Sequence, residues 1–387
     1  MTPAARIQAA IEILDQITDG EPAEKALTTW ARNARFAGSK DRAAIRDHVF
    51  DVLRQRSSCA AVGGDDSGRG LMIGLLTQAG VDLDSLFTGE GHAPLPMTEA
   101  EKGYGHAPEG ADALDIPEWL FPLWQQSLGD DAAEVAAIQR HRAPVFLRVN
   151  LRTSDVEAAV ATLAVDGIVA VPHPLSPTAL EVTENARRIK QSPAYLTGQV
   201  ELQDAASQAL VDALPLPKQG KVLDYCAGGG GKTLAMAALT RATMFAHDAN
   251  PQRMKDLPDR ADRAEIAVRI CRTTELRGQG PFDLVLCDAP CSGSGSWRRA
   301  PEGKWRLTQA LLDDVTALQA QILRDAAPLV AAGGALAYAT CSVLEVENHA
   351  QVEAFLAGHP GWTLETERLF TPLMGGDGFF VAVFRKP

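Results

Sequence analysis

The hydrophobic positions of this chain change their period twice. Over the first hundred residues Ile7, Ala10, Ile11, Leu14 and Ile17 recur at the three- and four-residue spacing of one helical face, and Leu27, Trp30, Ala31 and Ala34 repeat it. A third stripe, Ile45, Val49, Val52 and Leu53, lies on a segment that opens near Ser39 and carries Asp41, Arg42, Arg46 and Asp47 on its other faces. Residues 71–76 form a fourth short apolar segment, and the Gly- and Pro-rich stretch 88–106 reads as a linker. The spacing predicts an all-helical domain over 1–110.

From residue 116 the segments shorten. Helical runs at 119–128 and 132–140 precede a strand-like 145–149, a helix-like 156–164 and β-type runs at 168–171 and 180–182. This alternation predicts a small α+β unit over 111–197. From residue 198 onward, apolar runs at 222–225, 244–246, 267–270, 284–287 and 335–339 alternate with helical stretches, and 362–364 with 379–384 read as a closing strand pair. Strands alternating with helices predict an α/β domain over 198–387 with a largely parallel, doubly wound sheet.

Composition narrows the picture. A chain of 387 residues suits two or three domains. The net charge of −12 means that any nucleic-acid surface must be a local basic patch. Six cysteines without a CxxC or zinc-ligand spacing argue against a metal site. The first ten residues lack the charged-then-apolar pattern of a secretory signal, and no apolar stretch is long enough for a bilayer, so no membrane partner is expected. The expectation is a cytoplasmic protein with reduced thiols.

Candidate chemistry gathers at strand ends, where open α/β sheets bind ligands. Asp224, Asp248, residues 288–291 and residues 340–341 all fall there. Gly228, Gly229, Gly230 and Gly231 permit a tight turn and close approach of a ligand to backbone N–H groups before a helix near Lys232; a purely structural turn is the alternative. The loop is not a P-loop, because Cys226 stands where that pattern needs glycine. Asp248 can accept ribose hydroxyls or cap the helix heralded by Pro251. In Asp288-Ala289-Pro290-Cys291 the proline makes a rigid turn from which Asp288 and Cys291 project, whereas Cys287 reads as core. Cys291 and Cys341, two thiols at two strand ends beside a cofactor-type loop, suggest covalent catalysis. Buried thiols or a disulfide are the alternatives, and a reducing compartment counts against the disulfide.

These residues resemble the RsmB/Nop2/Sun family of S-adenosylmethionine-dependent RNA cytosine-5 methyltransferases. The likeness runs from about residue 198 to the C-terminus and rests on several ordered motifs: residues 203–207, the glycine loop 224–233, the DAPCSGSG segment 288–295, Arg298 with Pro301, Lys304, Trp305 and Arg306, then Thr340-Cys341-Ser342 with Glu345, Glu347 and Asn348, and Gly378-Phe379-Phe380. The resemblance implies a class I, Rossmann-like methyltransferase domain with a mixed seven-stranded sheet. It implies Cys341 as the nucleophile that adds to carbon-6 of cytosine, and Asp288 as the group on the ring nitrogen, protonated in the reacting state. It implies Cys291 as the thiol that helps remove the carbon-5 proton. S-adenosylmethionine would be held by Cys226, Ala227, Gly228, Gly229, Gly230, Gly231, Lys232, Asp248, Arg253, Asp288 and Pro290. Two departures stand out. Gly228-Gly229 replaces the family's alanine-proline, and Thr273 or Thr274 occupies the neighbourhood of its adenine-contacting acid.

The N-terminal part, through Ser39-Lys40-Asp41-Arg42 and the helix to Arg56, resembles the NusB-like RNA-binding domain of bacterial members, which implies that it helps dock structured RNA, and the middle unit resembles their small, RRM-like RNA-binding subdomain. Arg298, Arg299, Lys304, Arg306 and Lys190 are the expected RNA-binding residues. The expectation is thus a monomeric RNA cytosine-5 methyltransferase acting on ribosomal RNA, 16S rRNA in particular. Transfer RNA is the alternative substrate, and a catalytically idle assembly factor or a small-molecule methyltransferase are the alternative functions.

Overall fold

The helical periodicity at the start of the chain becomes five helices in the structure, a computed structural model describing residues 1–387. They are α1 (Pro3–Thr18), α2 (Ala23–Asn33), α3 (Ser39–Arg54), α4 (Arg56–Gly63) and α5 (Gly68–Gln78). Thr2 caps α1, its hydroxyl accepting from the Ala5 amide, and Ser67 caps α5 in the same way through Gly70. The apolar faces meet in one core containing Ile7, Ile13, Leu14, Ile45, Val49 and Leu71. Helices α4 and α5 approach so closely that a Cβ on Gly74 would overlap the backbone of Cys59.

The chain divides into two compact units, Met1–Arg142 with Trp297–Leu307, and Ala143–Ser296 with Thr308–Pro387. The helices Phe121–Leu128 and Ala132–Gln139, expected in the small α+β part, fall in the helical unit. So does the segment 297–307, which the sequence places inside the C-terminal domain. Within the helical unit Trp297 stacks on Trp124 with ring centroids 5.9 Å apart. Lys304 Nζ donates to the Arg54 carbonyl at 3.2 Å, Trp305 Nε1 to the Leu53 carbonyl at 2.6 Å, and Arg54 Nε to the Arg298 carbonyl at 2.8 Å. The segment is therefore a strap built into the helical core.

The second unit holds two sheets. Strands β1 (Val145–Val149), β2 (Val169–Pro172), β3 (Ala179–Glu184) and β4 (Val200–Leu202) form an antiparallel sheet in the order β2-β3-β1-β4. The helix Val156–Val165 packs on it through Ala159 and Leu163. The larger sheet contains β5 (Lys221–Asp224), β6 (Thr243–Ala246), β7 (Val268–Ile270), β8 (Phe282–Asp288), β9 (Val330–Thr340), β10 (Thr363–Phe370) and β11 (Phe379–Arg385), in the order β10-β11-β9-β8-β5-β6-β7. Strands β5 to β9 are parallel; β11 runs antiparallel to β9, and β10 antiparallel to β11. This is the expected mixed seven-stranded methyltransferase sheet. Its central strands are nearly continuous apolar runs because both faces are covered, by one core around Leu234, Leu284 and Ala337 and another around Leu223, Val285 and Tyr338. Strand β5 pairs with β6 on one side and β8 on the other. The order therefore reverses at β5, which places the loops after β5 and β8 side by side.

Candidate active site

Strand β5 delivers Asp224 to the switch point, and the chain turns at once through Gly228 and Gly230, both with positive φ (49° and 81°). A helix (Gly231–Leu239) then begins. Ala227 anchors the turn, its amide donating to the His247 carbonyl at 2.8 Å, while Cys226 packs half-buried against the core. Gly229 is tied by its carbonyl to Arg260. Asp248, buried beyond β6, accepts from the Gly228 amide at 3.0 Å and the Asn250 amide at 2.9 Å, and pairs with Arg253 at 3.3 Å. Asp248 thus joins the glycine loop to the end of the second strand. Near the third, Thr273 hydrogen-bonds His247 Nε2 at 2.8 Å, and His247 Nδ1 meets the Tyr225 carbonyl at 2.7 Å.

One atom of this loop lacks a partner. Asp224 Oδ2 accepts from Thr233 at 2.7 Å, but Oδ1 is buried with no hydrogen bond. Burial pushes the carboxyl up to about 7, against the Thr233 bond. A buried acceptor left open is costly and fits a ligand that brings an N–H donor. With the positive-φ glycines it matches the demands of S-adenosylmethionine, whose α-ammonium is such a donor.

The two thiols stand at the next two strand ends. Cys291 follows β8, Cys341 follows β9, and their sulfurs are 3.2 Å apart, both free. That separation exceeds a disulfide bond by more than an ångström. The hydrogen bond from Cys291 lowers Cys341, burial opposes it, and the Lys232 ammonium assists. The same bond, with burial, holds Cys291 well above the ordinary thiol value. Of the two thiols Cys341 is thus the one that ionises more readily, with Cys291 as its donor across the 3.2 Å contact. Lys232 Nζ bonds Asp288 Oδ2 at 2.7 Å and lies 4.8 Å from the Phe379 ring centroid. Burial works against the Lys232 charge, but Asp288 outweighs it and keeps the ammonium above its usual value.

The loops carrying the thiols are locked by residues for which the sequence reading offered no role. Glu347 has 0 % exposure and accepts from the Ser292 amide at 2.7 Å, the Ser292 hydroxyl at 2.5 Å, Gln319 Nε2 at 3.1 Å and the Ser342 hydroxyl. Ser292 follows Cys291 and Ser342 follows Cys341. Asn348 adds a second tie, accepting from Thr340 and donating to the Ser342 carbonyl. Gln319 also reaches the Pro290 carbonyl at 2.9 Å. The recurrence of serine beside each cysteine, with a glutamate shortly after, was the available signal.

Placement of the expected RNA-binding residues differs from the sequence reading. Arg298 and Lys304 are buried in the helical unit, 4 % and 1 % exposed, so neither lies on a surface patch. Burial, offset by Asp115, pulls Lys304 down to about 8. Arg299 and Arg306 are at the surface, Arg306 paired with Glu302 at 2.8 Å, and Lys190 is exposed in the second unit.

Comparison with known proteins bears on the family and the fold. The family model for "16S rRNA methyltransferase RsmB/F" matches residues 211–385, and one for the ferredoxin-like domain of RsmF/B-like methyltransferases matches 116–188. The ribosomal RNA small subunit methyltransferase B of Erwinia tasmaniensis is 33% identical over 333 residues, covering 82% of this chain and 73% of that protein. Its counterpart from Sodalis glossinidius is 35% identical over 284 residues, covering 70% and 65%. The crystal structure of PH0851 superposes with a TM-score of 0.75 over 100% of this chain and 99% of that one; at 23% identity this likeness speaks for the fold alone. No helix of the chain is long and apolar enough to cross a membrane. With its methyltransferase sheet, its open cofactor cradle and a thiol pair at the ends of β8 and β9, the chain belongs to the RsmB/F family of S-adenosylmethionine-dependent 16S rRNA cytosine-5 methyltransferases.

Proposed function

We propose that this protein methylates carbon-5 of a cytosine in 16S rRNA through a covalent adduct on Cys341. The observation that carries the reading is the 3.2 Å approach of the two thiols, with Cys341 lowered by the bond from Cys291. Cys341 adds as thiolate to carbon-6, while the ring nitrogen takes a proton passed from the Lys232 ammonium through Asp288, so carbon-5 becomes nucleophilic. Lys232 positions Asp288 for that contact. When bound, S-adenosylmethionine supplies the electrophilic methyl group; Asp224, the glycine loop 228–231 and Asp248 are the residues that would hold it, with Arg253 and Pro290 alongside. After transfer, Cys291, once it has lost its own proton to water, takes the carbon-5 proton. The carbon-5–carbon-6 double bond re-forms, Cys341 leaves as thiolate and the ring-nitrogen proton returns through Asp288 to Lys232. Cytosine inside folded RNA must be swung out of its stack to reach the thiol.

The test is transfer from labelled S-adenosylmethionine to 16S rRNA and, separately, to tRNA. Wild type should label 16S rRNA as 5-methylcytosine, Cys341→Ala should label neither RNA, and Cys291→Ala should accumulate a protein–RNA adduct stable in denaturant. Labelling of tRNA alone would overturn the substrate, and undiminished transfer by Cys341→Ala would overturn the mechanism.

A further inference from the structure

The glycine loop has little stiffness of its own, because residues 228–231 are four consecutive glycines, which lose more conformational freedom on being fixed than other residues. Two of its carbonyls are held from outside. Gly229 accepts from Arg260, in the helix Leu257–Arg263, and Gly231 accepts from Arg148 Nη1, on β1 of the antiparallel sheet, at 2.8 Å. A third arginine, Arg152, grips the far end of the helix that the loop opens, donating to the Ala237 and Thr240 carbonyls at 2.9 and 2.8 Å. Edge strand β4 braces the first two. Glu201 is buried, stands opposite Arg148 in the ladder, and accepts from Arg260 Nε at 3.3 Å and Arg263 Nη2 at 2.7 Å. Gln203, just beyond the strand, accepts from Arg148 Nη1 at 2.5 Å and donates to the Ser207 hydroxyl at 3.1 Å. That bond gives work to Gln203 and Ser207, which belong to a matched motif, 203–207, that the chemistry at the thiols leaves unused. Burying Arg148 is costly: its Nε has no acceptor, and burial pulls it down to about 10 although Glu201 works the other way. It is still charged at neutral pH, so its bond to the Gly231 carbonyl is charge-assisted and stronger than a neutral one.

We propose that the small antiparallel sheet is a working part of the cofactor site: Arg148 and Arg260 are positioning residues that hold the glycine loop in its ligand-receiving shape, and Glu201 acts on the cofactor through them. The proposal rests on S-adenosylmethionine being the ligand of that loop, and goes beyond it by assigning residues that do not touch the ligand. A loop fixed before the ligand arrives has less freedom to lose on binding. The brace therefore acts on affinity. Once the cofactor is seated, the chemistry at the thiols proceeds as before, so the loss falls on KM rather than on kcat. Glycine at 229 suits the arrangement, since a Cβ there would lie 3.1 Å from Arg260 Nη1 and crowd the guanidinium away from the carbonyl.

The experiment is calorimetric titration of S-adenosylhomocysteine into the full-length protein without RNA, with hydrogen exchange of residues 228–233 followed in the ligand-free protein. Loss of a hydrogen bond made by a charged group should weaken binding about tenfold. Arg260→Ala and Arg148→Met should each show that loss and exchange faster over 228–233 before any ligand is added. In methyl transfer, Arg260→Ala should raise KM for S-adenosylmethionine and keep kcat. Glu201→Ala should also weaken binding, and Glu201→Ala/Arg260→Ala should lose less than the two single losses combined, because both act on the Gly229 carbonyl. Arg263→Ala, which breaks a pair with the same Glu201 but reaches no atom of the loop, should keep its affinity. Unchanged affinity in Arg260→Ala and Arg148→Met, while wild type binds, overturns the brace and leaves the cofactor reading intact. Strictly additive losses overturn the role of Glu201. A loss in Arg263→Ala equal to that in Arg260→Ala makes the effect one of general stability and overturns the positioning role. Wild type that binds no S-adenosylhomocysteine overturns both the brace and the cofactor reading.

Discussion

Glu347 accepts the Ser292 amide at 2.7 Å, and through that one bond the strand-end loop carrying Cys291 is fixed against the loop carrying Cys341. The same carboxylate takes the hydroxyls of Ser292 and Ser342, so the residue after each thiol ends on one buried acid. Removing it leaves the buried Ser292 amide without its acceptor and takes one bond each from the Ser292 and Ser342 hydroxyls and from Gln319. Glu347→Ala should therefore lose about 3 kcal/mol of stability. A thiol misplaced by about 1 Å should cost kcat on the order of 100-fold. S-adenosylhomocysteine affinity should hold, because Glu347 does not touch the glycine loop. Thermal unfolding, calorimetric titration and steady-state kinetics together check the expectation; equal losses in kcat and cofactor binding would point to general unfolding.

The sequence made the doubly wound sheet readable because its buried strands are unbroken apolar runs, and 244–246 and 284–287 fall within β6 and β8. Both thiols and Asp288 are readable because each lies at or just beyond the end of such a run. The strap was not. Arg298, Lys304 and Arg306 look like a solvated basic stretch, and only the stacking of Trp297 on Trp124 and the bonds from Lys304 and Trp305 to α3 carbonyls reveal burial. Strand β4 escaped notice at three residues, too short to show a period. Glu347 sat inside a recognised motif, yet its four donors come from segments up to 55 residues away, a convergence no local pattern encodes.

The unequal thiols should be visible in their titration. Cys341 is lowered chiefly by the Cys291 hydrogen bond and further by Lys232, so its reactive form persists to lower pH than in a free cysteine. Alkylation of Cys341 by iodoacetamide, followed by mass spectrometry, should reach half its maximal rate below about pH 8.5. Cys291→Ala should move that midpoint upward, because the donor is gone. Lys232→Met should also move it upward, by less. A midpoint unchanged in Cys291→Ala would mean that the 3.2 Å contact does not tune the nucleophile.

Asp224 predicts a pH dependence of opposite sense in stability and in cofactor affinity. Its folded value, about 7, lies above the ordinary carboxyl value, so the folded protein keeps a proton that the unfolded chain releases above about pH 4. Stability from this group is complete below pH 4 and is lost as pH rises through 7. A ligand that donates to Oδ1 favours the ionised carboxylate, so S-adenosylhomocysteine affinity should rise through pH 7 and then level off. Asp224→Asn should flatten both curves. Calorimetric titration from pH 5.5 to 8.5 tests this, and identical affinity profiles for wild type and Asp224→Asn would remove Asp224 from the cofactor site.

Trp297 is 2 % exposed and stacked at 13° on Trp124, so the strap is held by an aromatic pair inside the helical unit. Truncation to alanine removes the ring and leaves a cavity against Trp124, a change that costs about 3–5 kcal/mol in well-packed cores. The loss should be local in origin. Lys304 and Leu307, whose amides bond to Pro301 and Gly303 at 3.2 and 3.1 Å, should exchange hydrogen faster once the ring no longer pins the segment. Amides of β5 and β8 should keep their protection, since their ladder bonds lie in the other unit. Hydrogen exchange read by mass spectrometry separates the two regions: faster exchange confined to 297–307 and α3 is the expected result, and uniform acceleration across the sheet would mean that the strap does not belong to the helical unit alone.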